Sequence, residues 1–595
     1  MNAALELDAY QQAAVLHGDG PAVVLAGPGA GKTRVLAYRV ARLIAAGVAP
    51  GEILCVTFGN AAAAEMRERI CKLTGIPARS LERTVSTFHA LALRILVTEK
   101  YLLDFKLTQN PIADSRRVLS ILRPLLRGTG LKLGAARTAI SRIERGEADG
   151  TAESPELMGV YAAYYEAMKA KGWISFDQMV PEAVRLLVGN PWVLARWKFR
   201  HVIVDEAHDC SCDQAALAHL LSTGGVYVVG DKSQSIYSFR GGGAELLENP
   251  AAREYRLPIN YRSALEIIEG FRRFADTDEA AQRLAREMFS SNGAVGVTTE
   301  RGYATEEQEA SEVVEQIAAD SLPPKDVAIL ARTNAQLALF GEELVRRGVP
   351  VCWRSSFWNS PEIIEALALL RLAADPRDAD AFRRVVAGRS RAFRFLGAKF
   401  AESVLLAAKR KGIIPRPLEI ARPAGEWKEW LLDRWDAARF SLARISSFYY
   451  PRFETRPALL LSLIENEVGL GVDEDAGVDD FGTENLGKLY QVAAAFGSVK
   501  DLLAHAEKMQ TAHTADGVTL STIHRAKGLE WTAVYIVGVS EGILPHARAT
   551  NLDEERRLLY VACSRARRKR SISWHGRISP LLAVRISYVG SGCDC

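Results

Sequence analysis

One short segment narrows the possible folds of this chain more than any other, "VVLAGPGAGKTRVL" at residues 23–36. Val23, Val24 and Leu25 form an apolar run typical of a buried strand, and the residues from Lys32 onward have the character of a helix. The three glycines of the turn between them allow successive N–H groups to point at one anion. A strand, a glycine-rich turn and a helix N-terminus predict a phosphate-binding loop in an α/β domain.

The phosphate loop assigns roles to its two most polar residues. Lys32 is expected to reach the β- and γ-phosphates of a nucleotide, and the hydroxyl of Thr33 is expected to ligate Mg²⁺. Ala26 stands where the usual pattern G-x-x-x-x-G-K-[ST] has its first glycine. The predicted contacts to the nucleotide from this segment come from Ala26, Gly27, Pro28, Gly29, Ala30, Gly31, Lys32, Thr33 and Arg34.

Composition places the chain in a broad class. Its 595 residues allow several domains, and 48% hydrophobic with 25% charged residues is typical of a soluble globular protein. No apolar run approaches ~18 residues, and the first residues show neither a basic nor an apolar leader segment. We therefore expect a cytoplasmic protein without a membrane partner. The net charge of +4 permits nucleic-acid binding and does not require it.

Short β-branched apolar runs occur in two sets, and long helical segments interrupt both sets. Continuous runs of this kind are typical of parallel strands covered on both faces, with ligands gathering at their carboxyl ends. The helical segments cover residues 93–172 and 363–515, with apolar residues spaced by three and four. The runs lie at 53–58, 201–206 and 226–231, and at 327–332, 518–523 and 533–539. Two α/β cores, each with a helical insertion, are predicted.

A nucleotide hydrolase needs further partners for its phosphate loop. The segment "VIVDEAHD" supplies Asp205 for the metal and Glu206 to orient water, both at the end of a buried strand. Arg262 and Arg565 are candidates to stabilise the charge that develops on the γ-phosphate. Spacing alone does not separate that role of the arginines from an ordinary surface ion pair.

Nine segments in chain order carry a resemblance to one family. They are "LDAYQQAAV", "AGPGAGKT", "TFGNAAAAEM", "STFHALALRIL", "VDEAHD", "VGDKSQSIYSFRGG", "LPINYRS", "LSTIHRAKGLEW" and "EERRLLYVACSRAR". With them the chain resembles the UvrD/Rep/PcrA group of superfamily one DNA helicases from about residue 7 to residue 567. The resemblance implies ATP and Mg²⁺ as cofactors and two RecA-like motor domains that share one ATP cleft.

The resemblance also assigns further residues to the ATP site. Gln11 would read adenine with its amide, and Tyr261 would pack on the same base. Glu530 would take the ribose hydroxyl, and Gln234 would sense the γ-phosphate. Arg262 and Arg565 would act from the second motor domain, opposite Lys32, Thr33, Asp205 and Glu206.

A track for single-stranded DNA follows from the same resemblance. Tyr237 and Phe239 would stack on bases, each worth ~1–3 kcal/mol, and Phe239 stands where the family has tryptophan. His524 would touch the DNA backbone. The full set of predicted DNA contacts is Thr57, Phe58, Asn60, Thr87, Phe88, His89, Tyr237, Phe239, Arg240, Thr522 and His524.

Two residues depart from the family pattern. His208 stands where the family has glutamine, and because histidine changes charge near neutral pH we expect a pH-sensitive turnover. Ala61 stands where the family often has lysine, which removes one possible contact to a DNA phosphate.

The predicted architecture is α/β, with two RecA-like parallel-sheet motor domains that each carry a mostly helical insertion. The first motor domain covers residues 1–92 and 173–255 around the insertion at 93–172. The second covers 256–362 and 516–580 around the insertion at 363–515. A tail at 581–595 completes the four-subdomain chain.

The predicted function is an ATP-dependent DNA translocase and helicase. The resemblance implies 3′ to 5′ movement along single-stranded DNA, separation of tailed duplexes and, without DNA, a monomer. An alternative is an ATP-switched DNA sensor or recruiting subunit that docks a nuclease or another partner through residues 363–515. A fused nuclease is disfavoured because little chain follows Arg567, and an RNA helicase because the motifs follow the DNA-acting group.

Overall fold

The computed structural model describes residues 7–146, 153–236, 245–353, 357–388, 390–393, 396–410, 420, 423–449, 456–470, 481–549 and 551–583. Two six-stranded sheets, each entirely parallel, form the centres of two α/β domains. This arrangement confirms the predicted fold class.

The elements of the first RecA-like domain and its insertion lie between Ala9 and Leu257. The elements in chain order are α1 (Ala9–Val15), β1 (Ala22–Ala26), α2 (Lys32–Ala45), β2 (Ile53–Thr57), α3 (Asn60–Thr74), β3 (Val85–Thr87), α4 (Phe88–Thr98), β4 (Ile112–Ala113), α5 (Ser115–Leu125), α6 (Leu133–Glu144), α7 (Pro155–Ala170), β5 (Ile174–Ser175), α8 (Met179–Gly189), α9 (Pro191–Arg196), β6 (His201–Val204), α10 (Cys212–Leu221), β7 (Val226–Gly230) and β8 (Arg253–Leu257). The strand order in the sheet is β3-β2-β6-β7-β1-β8.

This strand order determines where the polar loops meet. Every residue of β1, β2, β6 and β7 is buried, because helices cover both faces of the sheet. The strands β6, β7 and β1 are direct neighbours, and their carboxyl ends lie at one edge. The residues that follow them, Asp205 and Glu206, Asp231, and the phosphate loop, are therefore brought together by topology.

The second RecA-like domain repeats the pattern with a longer insertion. Its elements are β9 (Ile259–Asn260), α11 (Leu265–Arg272), α12 (Glu279–Glu287), β10 (Phe289–Ser290), β11 (Val297–Tyr303), α13 (Glu306–Ala319), β12 (Val327–Ala331), α14 (Leu337–Arg346), β13 (Val351–Cys352), α15 (Pro361–Ala374), α16 (Ala379–Val386), α17 (Gly397–Arg410), α18 (Glu429–Tyr449), α19 (Pro457–Val468), α20 (Phe481–Ala494), α21 (Val499–Thr511), β14 (Val518–Thr522), α22 (Ile523–Ala526), β15 (Trp531–Ile536), α23 (Leu552–Cys563), β16 (Ala566–His575) and α24 (Pro580–Ala583). The strand order is β11-β16-β15-β12-β14-β13.

Both interrupting segments are mainly helical, as their apolar spacing predicts. The helices α5 to α7 pack around Leu122, Tyr164 and Met168, and β4 pairs with β5 beside them. The helices α15 to α21 pack around large side chains that include Phe382 and Trp435. Among the described residues, no helix is both long enough and apolar enough to span a bilayer.

The predicted strands are confirmed, and the helix expected near Lys32 begins at that residue. The predicted limits of the subdomains stay predictions. Four of them, at residues 92, 255, 362 and 580, fall inside α4, β8, α15 and α24, so these elements cross the proposed divisions.

Candidate nucleotide and DNA sites

The phosphate loop requires glycine at positions 29 and 31, both for the backbone torsions and for the close packing of neighbouring side chains. Gly29 (φ 70°) and Gly31 (φ 81°) both adopt left-handed backbone torsions, which favour glycine. A Cβ on Gly29 would lie 2.7 Å from the Cβ of Arg262, across the cleft. A Cβ on Gly31 would lie 2.8 Å from Nε2 of Gln11. The loop therefore packs tightly against both flanks of the site.

Gln11 presents an unused acceptor at the edge of the phosphate loop. Its side chain is 1% exposed, and Nε2 donates to the carbonyl of Ala30 at 3.0 Å. Its Oε1 is buried and has no hydrogen-bond partner among the described residues. A buried acceptor without a donor is costly, and the exocyclic amine of adenine would supply the missing N–H. This orphaned atom fits an adenine nucleotide.

Tyr261 lies across the cleft from Gln11. Its backbone N–H donates to the carbonyl of Gly29 at 3.0 Å, and its hydroxyl donates to Asp8, which caps α1. Its ring is 44% exposed, so a face remains open to a base.

Arg34, another residue predicted to contact the nucleotide, lies in the first turn of α2. Its guanidinium carbon lies 5.7 Å from the centre of the ring of Tyr38.

The two carboxylates after β6 lie beside the phosphate loop. Nζ of Lys32 is 3.6 Å from Oε2 of Glu206. Burial, with the adjacent Glu206, raises the pKa of Asp205. Burial also opposes the ionisation of Glu206, but the charges of Lys32 and Lys527 hold its pKa below the ordinary value. A bound cation would offset the cost of burying Asp205, so the carboxylate of Asp205 suits Mg²⁺. Thr33 lies in the first turn of α2, directly after Lys32, and its part in binding Mg²⁺ stays a prediction.

Glu206 adopts an uncommon backbone conformation. Its φ of 48° lies in the left-handed region, where a residue other than glycine costs about 1–3 kcal/mol. The turn is fixed by two hydrogen bonds, from the N–H of Glu206 to Oδ1 of Asp205 at 3.0 Å and from the N–H of Asp209 to the carbonyl of Glu206 at 2.9 Å. Such strain is common at catalytic residues.

His208 is more deeply buried than its sequence context indicates. Its ring is completely buried, and burial together with the charge of Lys527 lowers its pKa well below 6.5. This shift moves the titration of His208 away from neutral pH. The expectation of a pH-sensitive turnover stays a prediction, and the buried Asp205, whose pKa is raised to about 7, is a group of this site that titrates in that range.

Gln234 is held by a neighbour rather than facing an open pocket. Its Nε2 donates to Oδ2 of Asp231 at 2.7 Å, and the hydroxyl of Tyr560 donates to the same oxygen at 3.2 Å. All three side chains are nearly inaccessible to solvent. Asp231 and Tyr560 are functional candidates that the sequence reasoning missed, although both lie inside quoted motifs.

The second domain contributes two arginines to the cleft. Arg262 is ion-paired with Glu530, which also accepts from Arg567. Burial opposes the ionisation of Glu530, but Arg567 and Arg262 hold its pKa below the ordinary value. Burial and the nearby Arg262 lower the pKa of Arg565 to about 9. The expected contact between Glu530 and a ribose stays a prediction.

Lys527 crosses the cleft and was missed by the sequence reasoning. Its Nζ donates to Oδ2 of Asp209 at 2.6 Å and to the carbonyl of Gln234 at 2.7 Å. Arg557 forms a second hydrogen bond across the cleft, because its Nε donates to the carbonyl of Ser235 at 2.6 Å. Their motifs were recognised, but only the fold shows that these two cations face the first domain.

A second cleft lies beyond the carboxyl ends of β2 and β3. It has a volume of about 450 Å³ and opens beside the exposed ring of Phe58. His89 stacks on Phe176 with ring centroids 3.8 Å apart. Phe176 is 55% exposed and was missed by the sequence reasoning, because a single exposed aromatic has no periodic signal. The lining is Thr57, Phe58, Phe88, His89, Arg145, Phe176, Asp177, Val180, Pro181, Asp209, Ser211, Asp213 and Gln214.

The remaining predicted DNA contacts are distributed around this cleft and the second sheet. Phe88 is 3% exposed and packs in the core of the first domain, so only its edge reaches the cleft. Asn60 begins α3, and Thr87 caps α4. Thr522 and His524 lie at the end of β14 and in α22. Tyr237, Phe239 and Arg240 lie outside the described residues.

Comparison with known proteins covers almost the whole chain. The model of the UvrD/REP helicase N-terminal domain matches residues 7–253, and that of the UvrD-like helicase C-terminal domain matches 255–412 and 484–577. The chain is 31% identical to ATP-dependent DNA helicase UvrD1 of Mycobacterium tuberculosis H37Rv, over 95% of this chain and 82% of the relative. It is 31% identical to DNA helicase II of Escherichia coli K12, over 96% and 84%. It is 28% identical to ATP-dependent DNA helicase PcrA of Bacillus subtilis, over 94% and 81%.

Proposed function

The chain belongs to the UvrD-like helicases, ATP-dependent DNA helicases, and on this premise we propose that it translocates 3′ to 5′ along single-stranded DNA and separates duplex DNA ahead of it. The polarity rests on the resemblance of its motifs to those of the family. We further propose that it acts as a monomer until it binds DNA.

The observation that carries this proposal is that charged side chains of both domains line one cleft, with a carboxylate and a lysine on one side and two arginines on the other. Lys32 and Glu206 come from the first domain, and Arg262 and Arg565 come from the second. A nucleoside triphosphate between them would draw the two domains together, and loss of the γ-phosphate would release them. A cycle of closing and opening is what a translocating motor requires.

Hydrolysis would use the side chains of the cleft in distinct roles. Gln11 binds the base, and Lys32 binds the phosphates. Thr33 and Asp205 would hold Mg²⁺, which neutralises phosphate charge when bound. Glu206 accepts a proton from the attacking water, since Lys32 and Lys527 keep its carboxylate ionised. Arg262 and Arg565 stabilise the charge of the transition state.

Asp209 supports a connection between ATP and DNA. Its carboxylate accepts from Lys527 in the nucleotide cleft, and the residue also lines the cleft that contains Phe58 and His89. A movement of the second domain that displaces Lys527 would therefore act on the wall of the proposed DNA track. Exposed aromatic rings in that track suit base stacking, which tolerates any sequence.

The proposal predicts strand separation of defined polarity. With ATP and Mg²⁺, we expect a duplex with a 3′ single-stranded tail to be unwound faster than the same duplex with a 5′ tail or blunt ends. The measurement is the fluorescence of a dye-labelled strand, at one salt concentration because phosphate contacts are screened. Faster unwinding from the 5′ tail would contradict the polarity. DNA-stimulated ATP hydrolysis without unwinding of any substrate would favour the sensor or recruiting subunit.

Nucleotide selectivity should depend on Gln11. We expect Gln11→Ala to lower the preference for ATP over GTP by about tenfold, because the lost amide contributes roughly 1–3 kcal/mol of discrimination. The measurement is kcat/KM for both nucleotides with saturating single-stranded DNA. Gln12→Ala is the matched control, since the side chain of Gln12 bonds the carbonyl of Leu7 instead. An equal loss for ATP and GTP in Gln11→Ala would contradict a contact with the base.

A further inference from the structure

Asn260 lies where the chain passes from the first domain to the second. Only Pro258 separates β8, a strand of the first sheet, from β9, which ends at Asn260. The side chain of Asn260 is 1% exposed, and its backbone carbonyl accepts from the N–H of Ser291 at 3.0 Å. The residue is therefore buried at the hinge between the two domains.

The two ends of the Asn260 amide bond to different segments. Its Nδ2 donates to the carbonyl of Pro28 in the phosphate loop at 2.7 Å. Its Oδ1 accepts from the N–H groups of Arg262 and Ser263, both at 2.8 Å. Bonds of the second kind fix a local turn, here the turn that carries Arg262. One side chain thus connects the phosphate loop to the backbone of Arg262.

The phosphate loop and this turn are also in close contact around the amide. The N–H of Tyr261 donates to the carbonyl of Gly29 at 3.0 Å. A Cβ on Gly29 would lie 2.8 Å from Oδ1 of Asn260, and a Cβ on Gly27 would lie 2.6 Å from the sulfur of Met288. Three successive residues of the loop therefore touch the second domain.

We infer that Asn260 is a positioning residue for ATP hydrolysis, which sets the place of Arg262 relative to the phosphate loop. This inference rests on the proposed function, in which Arg262 stabilises the transition state. Residues close to a hinge shift little when two domains rotate, so the bond to Pro28 can persist while the cleft opens and closes. A misplacement of about 1 Å in such a site can cost about 10²-fold in rate.

Asn260→Asp keeps the shape and the acceptor of the side chain and removes its donor. We expect kcat for DNA-stimulated ATP hydrolysis to fall about 10- to 100-fold, with KM for ATP within about threefold of wild type, because Arg262 acts in the transition state. Repulsion of the phosphates by the new charge would raise KM instead. Asn260→Ser is a second variant with the same expected loss, since its hydroxyl can still accept within the turn but is too short to reach Pro28.

Asn551→Asp is the matched control. The Oδ1 of Asn551 accepts from the N–H groups of Asp553 and Glu554, the same pair of bonds on an exposed turn before α23. This substitution should leave kcat and KM unchanged. Thermal unfolding of each variant separates a loss of stability from a loss of catalysis.

A double-mutant cycle with Arg262→Ala tests whether Asn260 acts through Arg262. In the Arg262→Ala background we expect Asn260→Asp to change kcat by less than about threefold, because the group that it displaces is gone. Effects that multiply, or a wild-type kcat in both folded Asn260 variants, would overturn the inference. An unchanged kcat in Arg262→Ala alone would overturn both the inference and the proposed role of Arg262. ATP hydrolysis without unwinding would count against the proposed function and leave the cycle as the test of Asn260.

Discussion

Glu206→Gln is expected to lower kcat for ATP hydrolysis by about 10²- to 10⁴-fold, the range that a general base contributes. Glutamine has nearly the same shape and keeps the turn after β6, but it cannot accept a proton from water. Nucleotide binding should persist, because Lys32 contacts the carboxylate only at 3.6 Å. Removing the negative charge beside the phosphates is expected to tighten ATP binding slightly.

The Glu206→Gln prediction is tested by two measurements on one preparation. Steady-state ATP hydrolysis with and without single-stranded DNA gives kcat, and titration with a fluorescent ATP analogue gives the dissociation constant. Glu156→Gln makes the same chemical change on the exposed first turn of α7 and should leave both unchanged. A kcat within about threefold of wild type would show that another group activates water.

The fold, and the grouping of the phosphate loop with Asp205 and Glu206, followed from the sequence because both depend on local patterns. The phosphate loop is a strand, a turn and a helix within fifteen residues, and its glycines are needed for local torsions. Likewise, Asp205 and Glu206 follow a strand whose every residue is buried. The carboxyl ends of parallel neighbours meet at one edge, so these groups could be placed together before the strand order was known.

Residues that act across the cleft could not be predicted in the same way. Lys527 and Asp209 are separated by 318 positions, and Arg557 and Ser235 by 322. No local pattern identifies such a pair, because the contact depends on how the two domains pack. Phe176 was missed for a related reason, since an exposed aromatic next to β5 has no periodic signal.

His208 shows that burial changes the titration behaviour expected of a histidine. An exposed histidine would titrate near neutral pH, and that property supported the expectation of a pH-sensitive enzyme. In the folded protein, the backbone of Asp231 and the ammonium of Lys527 approach opposite sides of the ring. These contacts come from the end of β7 and from the second domain, so they could not be predicted from the sequence around His208.

Arg565→Ala is expected to lower kcat by about 10³-fold, the lower limit for an arginine that stabilises phosphoryl transfer. The guanidinium is 2% exposed and is held in place by the carbonyl of Val561 at 3.0 Å and by Ser564. Burial and Arg262 lower its pKa to about 9, although Glu206 and Glu530 offset part of the cost of burying its charge. The phosphates of ATP would offset more of that cost, and most strongly when charge develops in the transition state.

The test of Arg565→Ala must separate lost charge from lost packing, because the substitution empties a buried site. Thermal unfolding reports the packing defect, and added guanidinium ion should restore part of kcat if the missing charge is responsible. Arg568→Ala removes an arginine from the exposed face of β16, three residues away, and should leave kcat unchanged. Equal kcat values for the two variants would exclude Arg565 and favour Arg262, which pairs with Glu530 and lies against Gly29 of the phosphate loop.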